Sequence, residues 1–290
     1  MLASASAAIM PIKSPSTPRV PNVPSKSAAK TAQDVPSPER SSLFVNSVEK
    51  AMRVLSAFDG ARRHLTLSQI ATQTGMDMST AQRFTYTLAT LGYLSKDEQN
   101  KTYSLGVKLF DFTYNYVASS DLVYRATPYL QHLSRETEET TNITVLDGPD
   151  IVFVLRIVSR HVLNPTVIVG TRLPAYCTSA GLAMFAHMST EQVDALLDAT
   201  QLIAHTPNTV ADRSAIHARL RQILSSGYAL TAEEYYMGDI SVAAAIVDAD
   251  GRPLGAINVA VAKPRWRGME DEKRLSELVI TAAAAISGRR

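Results

Sequence analysis

The stretch from Leu65 to Leu94, LTLSQIATQTGMDMSTAQRFTYTLATLGYL, leaves the chain few ways to fold. Thr66 followed by Gln69 is a capping-box pattern, and it opens a helix whose Leu67, Ile70 and Ala71 face inward. Gly75 supplies the backbone freedom for a sharp inter-helix turn. A second helix starts over Asp77 to Ser79, carries Ala81, Phe84, Leu88 and Leu91 three or four residues apart, and ends before Gly92. The pattern predicts a helix-turn-helix, whose second helix fits the major groove of DNA. The face opposite its core carries Ser79, Thr80, Gln82, Arg83 and Tyr86, residue types that meet base edges and phosphates. Any surface helix is polar opposite its core, so this helix alone leaves a plain solvated face as an open alternative.

The flanks favour the DNA reading. Upstream, Asn46 with Glu49 resembles a capping box, and Val48, Met52, Leu55 and Phe58 predict a helix with one buried stripe. Downstream, Tyr93–Lys96 and Lys101–Leu105 read as strands around the polar turn Asp97–Asn100. Three helices and a hairpin make a winged helix-turn-helix. Lys96 and Lys101 of the wing, and Thr66 at the start of the motif, join the candidate DNA contacts.

Residues 1–42 form an arm. Seven of the fourteen prolines fall within residues 1–41, with Ser, Ala and Thr around them, so that segment is expected to be disordered. Residues 1–41 carry a net charge of +3, residues 42–106 of +2, and the remainder of −3. The basic surplus sits where a nucleic-acid contact would want it. One cysteine, Cys177, excludes an internal disulfide framework. No apolar run reaches the ~20 residues of a membrane span, and no secretory signal pattern opens the chain, so a cytoplasmic protein without a membrane partner is expected.

Residues 43–105 read as the DNA-binding head and 106–120 as a linker helix crowded with Val107, Leu109, Phe110, Phe112, Tyr114 and Tyr116. A helix apolar over so much of its girth wants a partner, and a second subunit is the expected one. Residues 121–290 read as a larger domain. A helix over 122–138 precedes strands at 142–146, 151–157 and 166–169. Helices at 178–198 and 212–226 follow, then strands at 228–232, 241–247 and 254–261, and a closing helix at 270–287. Hairpins mixed with separate helices argue for an α+β fold with a largely antiparallel sheet.

From Leu43 to Ser287 the chain resembles the IclR family of bacterial transcriptional regulators. VNSVEKAMRVLSAF is similar to the family's opening helix, the Leu65–Leu94 stretch to its helix-turn-helix, and YSLGVKLF to its wing-to-linker junction. GTRLPAYCTSAGLAMFA, GYALTAEEYYMG and GRPLGAINVAV are similar to its effector-domain segments. LPAYCTSAG also resembles the branch that controls aromatic-acid breakdown by the β-ketoadipate pathway. Members of that branch tend to have Met and Arg where this chain has Ala180 and Leu182. They also have an Arg-Ser pair followed by a Pro where this chain has Ile240-Ser241 and Ala245.

The resemblance implies a GAF-like effector domain, homodimers or dimers of dimers on a palindromic operator, and neither a metal nor a catalytic role. It places an effector pocket at Val162, Ser179, Ala180, Thr231, Asp239, Ser241 and Asn258. Those residue types suit a small organic acid: Ser179, Ser241 and Asn258 offer neutral hydrogen-bond donors, and Arg156 or Arg172 can supply the charged partner. Asp239 would repel a carboxylate unless protonated or turned away.

Other chemistry finds little purchase. Cys177 has no GxSxG elbow and no spaced His or Asp partner, and reads as a core residue. The histidines at 64, 132, 161, 187, 205 and 217 form no close ligand pair, and no cofactor is called for. Glu233-Glu234 with Tyr235-Tyr236 reads as a strand end with solvated carboxylates. Two alternatives stay open: a small-molecule enzyme whose N-terminal domain only mediates assembly, and a constitutive repressor without ligand response. Steep salt dependence of binding to promoter DNA separates the first from a regulator.

Overall fold

Backbone-capping chemistry sets most of the helix starts. The computed structural model describes residues 43–164 and 166–288. The arm expected over residues 1–42 therefore lies outside the described residues, apart from its boundary. Helix α1 (Asn46–Leu55) is capped by Val45, one residue earlier than the Asn46–Glu49 pattern predicts; it buries Val54, and Ala57 and the expected Phe58 are buried just past its end. Val48 and Met52, expected in the buried stripe, are exposed. Strand β1 (Leu65–Thr66) leads into α2 (Leu67–Thr74), which has the Thr66–Gln69 capping box and ends at Gly75 in the left-handed region, φ +64°. Helix α3 (Met78–Thr90) follows, capped by Asp77. The wing strands β2 (Leu94–Asp97) and β3 (Thr102–Leu105) pair antiparallel, and β1 adds to β3 to make a three-stranded sheet.

The exit from the wing is tightly packed. The Gly106 amide donates to the Tyr93 carbonyl at 2.8 Å, and a Cβ on Gly106 would lie 2.2 Å from the Gly92 carbonyl oxygen. A 3-10 turn at Val107–Leu109 then passes into α4 (Phe110–Ser119), which buries no residue. Phe110, Phe112, Tyr114 and Tyr116 all stand exposed on it.

The rest of the chain builds a six-stranded antiparallel sheet in the order β6-β5-β4-β9-β8-β7. Its elements run α5 (Asp121–Thr137), β4 (Thr140–Asp147), β5 (Asp150–Ile157), β6 (Arg172–Pro174), α6 (Ser179–Phe185), α7 (Thr190–Asp198), α8 (Arg213–Ser226), β7 (Ala229–Ala232), β8 (Asp239–Val247), β9 (Pro253–Ala262) and α9 (Met269–Ser287). Two expectations are corrected. The helix predicted over 178–198 breaks after Ala186, because Ser189 and Gln192 form a capping box that starts α7 afresh. The β-branched run 166–169 is not a strand. Its amides turn back on themselves (Val167 to Asn164, and Ile168 to the Thr171 hydroxyl), and the edge strand forms later, at Arg172.

Alternation along the central strands sorts large from small. Val242, Ala244, Ile246, Ile257, Val259 and Val261 pack with Ile143 under α5 and α9, against Leu130, Leu133, Leu275 and Val279. The other face receives Asn142, Thr144, Ser241, Ala243, Asn258 and Ala260, all of them small or polar. A register shift between Ile143 and Thr144 lets Thr144 oppose Phe153 while Ile143 opposes Leu155 and Asn142 opposes Arg156. This bulge brings Phe153 and Arg156, three residues apart, to the same face.

Helix α6 packs tightly on the turn that precedes it because Gly181 has no side chain: a Cβ there would lie 2.2 Å from the Ala175 carbonyl oxygen, which is backbone and cannot yield. Gly181→Ala is therefore expected to destabilise the larger unit by roughly 1–3 kcal/mol, read by urea denaturation followed at the single tryptophan.

Candidate functional site

Two sites stand apart on the chain. On the head, Ser79, Gln82, Arg83 and Tyr86 are exposed along one face of α3, while Ala81, Thr85 and Leu88 are buried on the other. Thr80 is half-buried, and its hydroxyl donates to Asp77 Oδ2 at 2.7 Å. That bond, with the Thr80 amide, holds the Asp77 carboxyl below its ordinary value. Thr66 uses its hydroxyl to cap α2. On the wing, Lys96 and Lys101 are exposed, and both ion-pair with Glu98, at 2.8 and 3.2 Å. Lys108, which sequence reasoning did not single out, donates to the Leu91 carbonyl at the end of α3 and lies over the Tyr93 ring.

The second site is a cavity on the small-residue face of the large sheet. Arg156, Val162, Ser179, Ala180, Thr231, Asp239, Ser241 and Asn258 all line it. Ser179 donates to Ser241 Oγ at 2.8 Å, and Asn258 Nδ2 donates to the same oxygen at 2.9 Å. The chain of bonds ends at Asn258 Oδ1, which is buried without a partner. Arg156 Nη1 donates to Asn142 Oδ1 at 2.8 Å, its guanidinium lies 5.8 Å from the centre of the Phe153 ring, and its Nε is buried and unpartnered. Burial pulls the guanidinium below its ordinary value, and Asp239 and Tyr236 oppose that. Asp239 moves the other way: burial raises its carboxyl to about 6 against the attraction of Arg156.

Arg172 is not in the cavity. It is exposed on β6, pairing with Asp147 at 2.6 Å and Asp150 at 3.2 Å, because the β4–β5 hairpin sets both carboxylates beside it. The Glu233-Glu234 pair also departs from expectation. Both side chains are nearly enclosed, Glu233 bonded to Lys263 and to the Gly238 amide, and Glu234 to Arg219. Glu233 takes a left-handed φ of 58°, which turns the chain inward and sends Tyr235 and Tyr236 into the cavity wall. Phe153, Asn142, Tyr235 and Tyr236 line the cavity without having been picked out from sequence. The Tyr-Tyr pair was the one available signal. Cys177 also touches the cavity, but burial pushes its thiol up to about 12, so it stays protonated and poorly nucleophilic.

Comparison with known proteins covers the described chain almost end to end. The profile for the IclR helix-turn-helix domain matches residues 47–98, and that for the bacterial transcriptional regulator IclR C-terminal domain matches residues 114–288. The chain is 32% identical over 241 residues to the Pca regulon regulatory protein of Pseudomonas putida, spanning 83% of this chain and 82% of that one. A transcriptional regulator from Rhodococcus sp. RHA1 superimposes with a TM-score of 0.74 at 30% identity, covering 84% of this chain and 97% of that chain. An IclR homologue of Microbacterium hydrocarbonoxydans, crystallised with 4-hydroxybenzoate, shares the fold at 23% identity and a TM-score of 0.71, over 83% of this chain and 97% of that chain.

The head geometry yields two expectations, both read by gel-shift titration on the promoter DNA. Arg83→Ala should weaken binding by ~1–3 kcal/mol if Arg83 meets a base, and unchanged affinity would strike it from the contacts. Glu98→Gln should release both wing lysines and tighten binding by about three- to tenfold at low salt, an effect that added salt erases.

Proposed function

The chain belongs to the IclR family of bacterial transcriptional regulators, and we propose that it reads a palindromic operator under the control of a small aromatic acid held in the sheet cavity. The observation that carries the acid is Arg156: a guanidinium inside a half-apolar cavity, with its Nε unpartnered and its Nη1 tied only to a neutral amide. A carboxylate there gains charge-assisted hydrogen bonds in a poorly solvated place. Phe153, Tyr235 and Tyr236 supply flat walls for a ring. The free Asn258 Oδ1 asks for a donor such as a ring hydroxyl. The Pca regulon regulator among its relatives and the 4-hydroxybenzoate complex of the Microbacterium homologue support the same ligand class.

In this reading residues 1–42 are an arm, 43–105 the reading head, 106–120 a connector and 121–290 the sensor, acting in the cytoplasm where the operator lies. On the head, Ser79, Gln82, Arg83 and Tyr86 face the major groove, with Thr66, Thr80 and the two wing lysines at phosphates. The exposed aromatic face of α4 joins two copies, as a two-fold operator requires. The acid acts by preferring one arrangement of the two heads, since equal affinity for both would shift nothing. Its relatives regulate transcription, and no catalytic role is assigned to any residue.

A thermal-shift screen of aromatic and aliphatic acids tests this. A saturating aromatic acid, at about 100 times its Kd, should stabilise the chain by about 2.7 kcal/mol. Arg156→Met should weaken that acid by about 10- to 100-fold, and should also lower the ligand-free melting temperature modestly because Asn142 Oδ1 loses its donor. The proposal falls if no acid shifts the melt, or if the Arg156 variant binds as well as the parent.

A further inference from the structure

The cavity contains an acid of its own. Asp239, the first residue of β8, lines it together with Arg156, and Arg156 is the only Lys or Arg among the lining residues. Glu234, the other carboxylate there, is neutralised by Arg219 at 2.7 Å. Asp239 has no such partner: among the described residues its side chain makes no hydrogen bond and no ion pair. The groups around it account for the rest of the local charge. Arg156 comes from β5, and Tyr236 and Glu233 from the turn before β8. Lys263, just past β9, is tied to Glu233. The loop that packs Leu163 on Gly238 carries Arg160 and His161, which bond to each other, with Arg160 also reaching Glu138.

With Asp239 ionised, the cavity is already neutral. An incoming carboxylate would then share one guanidinium with a second anion in a place of low dielectric, where like charges repel strongly. We propose that Asp239 is the specificity-determining residue of the sensor: a monoanionic acid binds at Arg156 together with one proton taken from solvent by Asp239, and dianions are refused. This rests on the reading of Arg156 as the partner of the effector's carboxylate. The protonated Asp239 then presents an O–H donor to the bound acid, and acid, guanidinium and carboxyl sum to zero charge. Burial already raises the carboxyl to about 6 before the acid arrives, so the proton is taken up at modest cost at neutral pH. A dicarboxylate would need a second cation or a second proton, and the lining residues supply neither.

The test is isothermal titration of the full chain with 4-hydroxybenzoate, and with terephthalate as the dianion on the same ring, from pH 5.5 to 8. Each point is run in two buffers of different ionisation enthalpy. The carboxyl of 4-hydroxybenzoate is ionised across most of this range, so a bound proton must settle on the protein. Close to one proton should be taken up per acid at neutral pH, and affinity should fall by up to about tenfold per pH unit above about 6. Asp239→Asn should take up no proton, lose the slope, bind 4-hydroxybenzoate at least about tenfold more tightly than the parent at pH 8, and narrow the preference over terephthalate. Binding to the parent without proton uptake, as an ammonium-bearing ligand would show, overturns the role of Asp239, as does an unchanged slope in the variant. Absence of 4-hydroxybenzoate binding at every pH overturns the Arg156 reading and this inference with it. The buffer comparison on the unsubstituted chain decides the matter even if the variant folds poorly.

Discussion

The sensor depends on the rule that a β-strand sends alternate residues to opposite faces, and on one place where the rule is broken. Along β8 and β9 the rule puts branched side chains under α5 and α9 and leaves Ser, Ala and Asn on the other side. Large residues on both faces would have filled the space now left for a ligand. The break is the bulge opposite Ile143 and Thr144. Without it Arg156 would point away from Phe153, into the α5–α9 core, where an unpaired guanidinium is too costly to keep. One extra residue in one strand thus decides whether the cavity has a charge.

Polar groups in the cavity are arranged unevenly, and the unevenness is informative. Ser179, Ser241 and Asn258 satisfy each other along a short line and stop at a bare oxygen. Arg156 is anchored at Nη1 by Asn142 and at Nη2 by the Asn164 carbonyl, and is bare at Nε. Glu233, just outside, and Glu234, on the cavity wall, are matched by Lys263, Gly238 and Arg219. Buried polar atoms in folded proteins nearly always have partners, and two of the bare ones, Arg156 Nε and Asn258 Oδ1, belong to residues lining one concave space, which suits a guest there. The matched pair of glutamates serves the fold instead: it closes the turn that carries both tyrosines inward.

Local signals were legible where a few neighbouring residues decide the outcome. Thr66 with Gln69, Gly75, Asp77 and the wing turn could each be read directly, because capping and turn chemistry act over three or four residues. Asn46 misled by one position, since Val45 stands at the cap; of the predicted stripe Phe58 is buried, while Val48 and Met52 are exposed and Val54 and Ala57 are buried instead. The Ser189–Gln192 box was present but masked by an apolar run that keeps helical spacing through it. Of two arginines proposed for the acid, residue type could not separate them. Arg172 is claimed by two aspartates brought from the neighbouring hairpin, and Arg156 reaches the cavity through a register shift; both facts concern strands pairing at a distance. Phe153 went unread for the same reason, and the Tyr235–Tyr236 pair because its turn folds inward only through a left-handed Glu233.

Gly106 has a mechanical meaning. Its backbone lies flush against Gly92, its amide is bonded to Tyr93, and two residues on Lys108 grips the last turn of α3. The joint between the connector and the reading helix is therefore welded rather than hinged. A swing of α4 would then carry the head with it, as a lever arm does. A few degrees of rotation at its base become ångströms of travel at the major groove. At the other end the chain leaves α4 through Ser120, whose extended backbone and side-chain cap start α5 in a new direction.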